Sequence, residues 1–164
     1  MLNRKNSKSI DYIKQNKKHN TCVPVAVVNA GRWTGIPLSF SHLPKLRKAF
    51  KSDRVGTQLS NIERPLRRVF KRKLNIRKYI RPSLVTMDRI LNQPSSAVIL
   101  VYPFEENKEI KYHCTFIPKK QGHRYICIND SEERLVSSRT KNKISYYLKR
   151  KRGNGPALYA LRKI

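Results

Sequence analysis

The spacing of apolar residues changes after Asn92, and that change decides the fold class. Before it, apolar residues recur every three or four positions. Ala26, Ala30 and Trp33 share one helical face, behind a possible cap at Thr21, a first-turn Pro24 and a stop at Gly35. Ser41 is placed to cap a short segment with Leu43, Leu46 and Phe50 inward. Gly56 and Thr57 open a third, carrying Leu59, Ile62, Leu66, Val69 and Phe70, with a kink or late start at Pro65. Pro82 and Ser83 start a fourth, with Leu84, Met87, Ile90 and Leu91 inward. After Asn92 the pattern turns to strands. AVILVY over 97–102 is a buried run, and YHCTFIP with RYICIND makes a hairpin. Thr140 caps a helix with Ile144, Tyr147 and Leu148, and ALYALRKI closes as a strand. Helices followed by an antiparallel sheet give an α+β fold.

The length, 164 residues, fits one domain, read as 13–164 behind a basic extension over 1–12. There is no apolar run of membrane-spanning length and no secretory signal at the start. Three cysteines without a C-x-x-C pair argue against a disulfide scaffold and a zinc ribbon, and suggest the cytoplasm or another reducing compartment. No pattern calls for a metal or an organic cofactor.

The net charge is +27, and it is uneven. Residues 45–81 hold 14 Lys and Arg against Asp53 and Glu63, and residues 139–163 hold nine against no acid. Such charge attracts acidic partners, with DNA or RNA phosphates first among them. Arg67, Arg68, Lys71, Arg72 and Lys73 are expected on and around one helix, with Arg77, Lys78 and Arg81 following. Lys149, Arg150, Lys151 and Arg152 form a second cluster. No helix-turn-helix or zinc pattern accompanies them, so contacts would go to phosphate rather than to base edges.

Cys22 opens the best-defined helix, where unpaired amides and the helix dipole stabilise an anion and lower a thiol's pKa. A histidine must then take the proton, and His113 sits in a strand with a fixed face. The hairpin brings 129–130 beside it. A two-residue turn at Gln121-Gly122 sets Asp130 opposite His113, and a three-residue turn sets Asn129 there. Either can hold the imidazole tautomer. Gln15 precedes Cys22 by seven positions and can donate to an oxyanion beside the Cys22 amide. Cys114 and Cys127 read as core packing.

That order of residues is similar to the papain-like cysteine peptidases. NTCVPVAVVNAGRWTG resembles the nucleophile motif of the bacteriocin-leader-processing peptidases, usually Cys-Gly-Pro-x-Ala with Asn-Ala at the helix middle. The chain keeps Cys22, Pro24, Ala26, Asn29 and Ala30. PSLVTMDRILNQPSSAVILVY resembles the family's helix and strand before the histidine. YHCTFIPKKQGHRYICIND resembles its histidine hairpin, and ALYALRK its closing strand. The resemblance implies a papain-like fold, N-terminal helices packed on a C-terminal antiparallel sheet. It implies Cys22 as nucleophile and His113 as general base. Asp130 matches the third member by motif, while Asn129 matches the papain-type asparagine and has the tighter spacing. Gln15 matches the oxyanion glutamine with one residue too many, and Asn16 fits the usual count. Val23 stands where the family has glycine, which puts a β-branched side chain beside the nucleophile.

Two functions follow as expectations. The first is a thiol hydrolase of peptide or amide bonds, or an acyl transferase using the same residues. The second is an inactive papain-like scaffold acting as a basic nucleic-acid-binding or structural protein. A protease associated with nucleic acid or packaged in a virion would combine them.

Overall fold

A computed structural model describes residues 9–15, 21–53, 56–131 and 133–164. Helix α1 spans Cys22–Thr34, with Thr21 as its N-cap residue. It ends at Gly35, whose φ of 85° is the left-handed conformation that glycine adopts without cost. A short 3₁₀ turn over Phe40–His42, capped by Ser39 rather than Ser41, leads into α2 (Leu43–Ala49), whose N-cap residue is His42; the Ser39 amide donates to His42 Nδ1 at 3.1 Å. Helix α3 covers Glu63–Val69, the late start that Pro65 requires: the proline falls in the first turn, where no amide bond is lost. Helix α4 covers Leu84–Leu91, with the Ser83 hydroxyl accepting from the Thr86 amide at 3.1 Å. Helix α5 covers Lys141–Leu148 and is capped by Thr140.

Six strands form one antiparallel sheet: β1 (Leu74–Ile80), β2 (Ser96–Glu106), β3 (Glu109–Gln121), β4 (Arg124–Ile128), β5 (Val136–Thr140) and β6 (Ala157–Lys163). Their spatial order is β1-β6-β2-β3-β4-β5. The architecture is therefore the expected α+β one, with two additions. Strand β1 lies inside the basic stretch, where the sequence analysis places no strand. Its LNIRKYI alternates apolar and polar residues, and pairing with β6 from Leu74↔Lys163 to Ile80↔Ala157 holds it extended. Strand β5, VSSRT, is a polar sheet edge.

Helices cover both faces. On one, α1, α2 and α3 pack Val27, Phe50 and Leu66 against Ile99, Cys114, Phe116 and Tyr159. On the other, α4 and α5 pack Met87, Ile90, Ile144 and Tyr147 against Val98, Leu100, Tyr102 and Tyr125. So the fourth helix does not join the first three on their face. Strand β2 is buried over Ser96–Pro103, as its unbroken apolar run requires. Among the described residues no helix is long and apolar enough to cross a membrane.

Candidate active site

The site is built where β4 parts from β3. The β2–β3 hairpin turns at Asn107 and Lys108, both with positive φ, so Glu106 and Glu109 close it directly. Hydrogen-bonded and open pairs then alternate away from the turn. Pro103, which has no amide hydrogen, falls on an open pair with Tyr112. The backbone groups of Tyr112 and Cys114 consequently point away from β2, toward the side that β4 should occupy. But β4 ends at Ile128, opposite Phe116, and Asn129 turns the chain with φ 57°. This leaves the edge of β3 uncovered by β4 at 112–114.

Cys22 fills that edge. Its thiol lies 3.7 Å from the Tyr112 carbonyl, and the Cys114 amide also acts on it. The nucleophile of the sequence reading therefore sits against the residues that flank His113. Helix α1 brings it there because Cys22 through Gly31 are all buried against the sheet. Val23 points into this core at 2 % exposure, so the departure from glycine is absorbed by packing.

His113 projects on the α5 face of the sheet, 5.4 Å from the Tyr102 ring, and Tyr102 stacks on Tyr147 at 4.2 Å. Its Nε2 lies 3.0 Å from the Asn129 carbonyl. A carbonyl only accepts, so Nε2 carries the proton of the neutral ring and Nδ1 keeps the lone pair. Neither turn anticipated from sequence is the one used. The hairpin turns at Gly122-His123, with Gln121 opposite Arg124, and a register shift between Phe116 and Lys119 follows.

The side chains of Asn129 and Asp130 go elsewhere. Asn129 donates to the Ile13 carbonyl at 2.9 Å and accepts from the Gln15 amide at 2.9 Å. Asn29, from the middle of α1, grips Ile13 from the other side at 2.8 and 3.0 Å. Two buried asparagines thus clamp the extended segment that carries Gln15. The fixed Asn in the nucleophile motif was visible in sequence, but this partner was not. Asp130 bonds Arg139 and, at 3.0 Å, the Tyr147 hydroxyl, while its other oxygen is buried without a partner among the described residues. Asn16 lies outside the described residues.

Burial pushes the Cys22 thiol up to about 11, although the amides of Cys22, Val23 and Cys114 pull against it. The depressed thiol expected at a helix start is not found, because desolvation outweighs the helix terminus. Burial raises Cys114 and Cys127 as well. All three cysteines are free.

The basic residues do not form one surface. Arg67 and Lys78 both pair with Glu63, at 3.0 and 3.4 Å, and Arg67 also donates to the Ile76 carbonyl. Arg77 alternates with Lys78 along β1 and faces the other way. Arg68 lies in the last turn of α3, and Lys71, Arg72 and Lys73 form the exposed turn into β1. Lys149, Arg150, Lys151 and Arg152 lie apart from these, beside Pro103, Phe104 and Glu105, around a groove of about 670 Å³. There Arg152 pairs with Glu105 at 2.8 Å and Arg150 stacks over Tyr146. Among the described residues no group of three His, Cys, Asp or Glu side chains converges as a metal site would need.

No family profile matches the chain, and neither does any curated protein. Solved structures do match. The peptidase domain of Streptococcus ComA, a bi-functional ABC transporter of a quorum-sensing pathway, superposes with a TM-score of 0.68 at 15 % identity, over 94 % of this chain and all of that one. A double-glycine-motif protease of an AMS/PCAT transporter, in complex with a leader peptide, gives 0.61 at 10 % identity, over 94 % of this chain and 91 % of that one. A C39-like peptidase from Bacillus anthracis gives 0.60 at 12 % identity, over 94 % and 96 %. The chain has the papain-like fold of these C39 peptidase domains.

Proposed function

We propose that the protein is a cysteine peptidase that cleaves peptide bonds through Cys22 and His113. The observation that carries this reading is the seating of the Cys22 sulfur against the carbonyl of Tyr112, the residue before His113 in β3, together with the hold of the Asn129 carbonyl on His113 Nε2. That bond leaves Nδ1 as the base. In the reaction Sγ attacks the scissile carbonyl as its proton passes to Nδ1. The carbonyl electrons move onto oxygen, and the Cys22 amide with Gln15 receives that charge. The imidazolium returns the proton to the leaving amine as the C–N bond breaks. Water, deprotonated by His113, then hydrolyses the thioester.

The same thiol is held neutral in the resting protein by burial, so its proton leaves during attack rather than before substrate arrives. Asn129 serves as the third member through its carbonyl. Asp130 acts at one remove, through Tyr147 and the Tyr102 ring that packs on His113.

The substrate is a peptide or protein segment, in keeping with the leader peptide bound to one structural neighbour. The groove beside Pro103 carries Lys149, Arg150, Lys151 and Arg152 against Glu105 alone, so it favours acidic side chains near the scissile bond. The test is incubation with a mixed peptide library, with new N-termini read by mass spectrometry. Cleavage that enriches Asp and Glu and vanishes in Cys22→Ala supports the reading. Cleavage unchanged in that variant, or none with any library, overturns it.

A further inference from the structure

The sheet end farthest from Cys22 carries a second site. A cavity of about 510 Å³ opens between β1, β6 and the end of α4, lined by Arg77, Arg89, Arg162, Asn75, Tyr79 and Gln93. The strand register brings these together. Asn75, Arg77 and Tyr79 alternate along β1, so they share a face. Arg162 pairs with Asn75 on one side and Ser96 on the other, which puts it beside them. Arg89 comes across from the last turn of α4.

No carboxylate lines this cavity, and among the described residues none of the three arginines has an ion pair. Asp88, the acid next to Arg89 in sequence, is engaged by Lys120 and the Tyr125 hydroxyl, and Glu63 by Arg67 and Lys78. Three cations converging without an acid repel one another unless a partner supplies negative charge. Guanidinium forks match phosphate oxygens two at a time. The Arg77 guanidinium lies over the Tyr79 ring at 5.2 Å, so one cation is already stacked as a base would be. Along the strand, residues of one face repeat every ~7 Å, a step suited to successive phosphates of an extended chain. Cations, an aromatic ring and side-chain amides on an open sheet face are the equipment of a single-strand platform. An acidic peptide would use the arginines but leave the ring and the amides idle.

We propose that this shelf binds a single strand of nucleic acid, with Arg77, Arg89 and Arg162 on its phosphates. The site is independent of the Cys22–His113 reading, and neither outcome for one decides the other. The sequence assigns no strand to Leu74–Ile80, so the grouping of Arg77 with Arg89 and Arg162 emerges only in the folded sheet.

The test uses the full chain and labelled random 20-mers of DNA and RNA, followed by fluorescence anisotropy across a salt series. The triple substitution Arg77→Ala, Arg89→Ala, Arg162→Ala is expected to weaken binding at least ~10-fold and to flatten the log–log salt slope by about 2, three phosphates at roughly 0.7 each. Lys45→Ala with Lys48→Ala, both exposed on α2 across the sheet, is expected to change affinity less than ~2-fold. The three arginines are exposed, so the triple variant should melt as the parent does; an Arg→Lys triple variant, which keeps charge and loses the forks, should bind between the two. An unchanged affinity or slope in the triple variant overturns the proposal. So does equal competition by polyglutamate of matched charge, or a preference for duplex over single strand.

Discussion

At the β3–β4 end of the sheet, polar groups are buried, paired and mostly neutral. Asn29 and Asn129 hold Ile13, Asp130 holds Arg139 and Tyr147, and the thiol of Cys22 is sealed against backbone. At the β1–β6 end they are exposed and cationic, and Arg77, Arg89 and Arg162 share a cavity with no acid. One sheet therefore separates chemistry from charge. A buried site needs fixed partners, because an unpaired group there costs the full desolvation penalty. A surface that meets a polyanion needs the opposite, cations left open to a ligand. The large positive charge of the chain belongs to exposed surfaces, the groove beside Pro103 among them, and not to the buried groups around Cys22.

Breaking either end should leave the other intact, and the expected effects descend in size. His113→Ala should lower the rate of peptide cleavage ~10²–10⁴-fold by removing the base, with oligonucleotide affinity unchanged. A parallel fall in affinity would show the two ends to be coupled. Asp130→Ala should cost about 3 kcal/mol of stability, because Arg139 and Tyr147 lose a carboxylate that is fully buried. Arg77→Ala should stay within ~0.5 kcal/mol in the same urea titration. Equal losses would end the contrast between buried and exposed polarity.

Alkaline pH should distinguish the ends too. The folded Cys22 thiol keeps its proton up to about 11, above its ordinary value of 9.0. Between those values the unfolded chain loses a proton that the folded one retains, so stability falls as pH rises through that window. The loss attributable to Cys22 is roughly 2–3 kcal/mol, seen as the part of the decline that Cys22→Ser removes. Identical alkaline profiles for both proteins would mean the thiol is not sealed. Asn29→Ala is expected to cost about 2 kcal/mol by orphaning the Ile13 amide, while the Ile13 carbonyl keeps Asn129 as its donor. It should also lower the cleavage rate, since it loosens the segment that bears Gln15; a stability loss with the cleavage rate unchanged would remove Gln15 from the mechanism.

Much of this was readable from the residues. Caps and threefold-to-fourfold spacing located the helices, and the apolar run at 97–102 located the central strand. Strand β1 was hidden because its alternate positions are Asn75, Arg77 and Tyr79 inside a run of basic residues, which reads as a charged helix face. Strand β5 was hidden because VSSRT offers one apolar residue, and that one, Val136, is exposed. Cys22 and His113 could be nominated from their places at a helix start and on a strand. The choice between Asn129 and Asp130 could not be made, because it depends on a turn one residue further on and a register shift at Phe116–Lys119. The state of the thiol was equally out of reach. It depends on how deeply α1 sinks onto β3, and local sequence favours a thiolate that the packing then forbids.

The central claim is that His113 activates Cys22 despite a neutral resting thiol. The direct test is intact-mass spectrometry after brief reaction at neutral pH with a peptide p-nitrophenyl ester, followed by mapping of the acylated residue. Acylation of Cys22 alone is expected, at least ~10²-fold slower in His113→Ala. Acylation spread over Cys22, Cys114 and Cys127, or unaffected by His113→Ala, would contradict it and leave an inert scaffold whose working surface is the basic end.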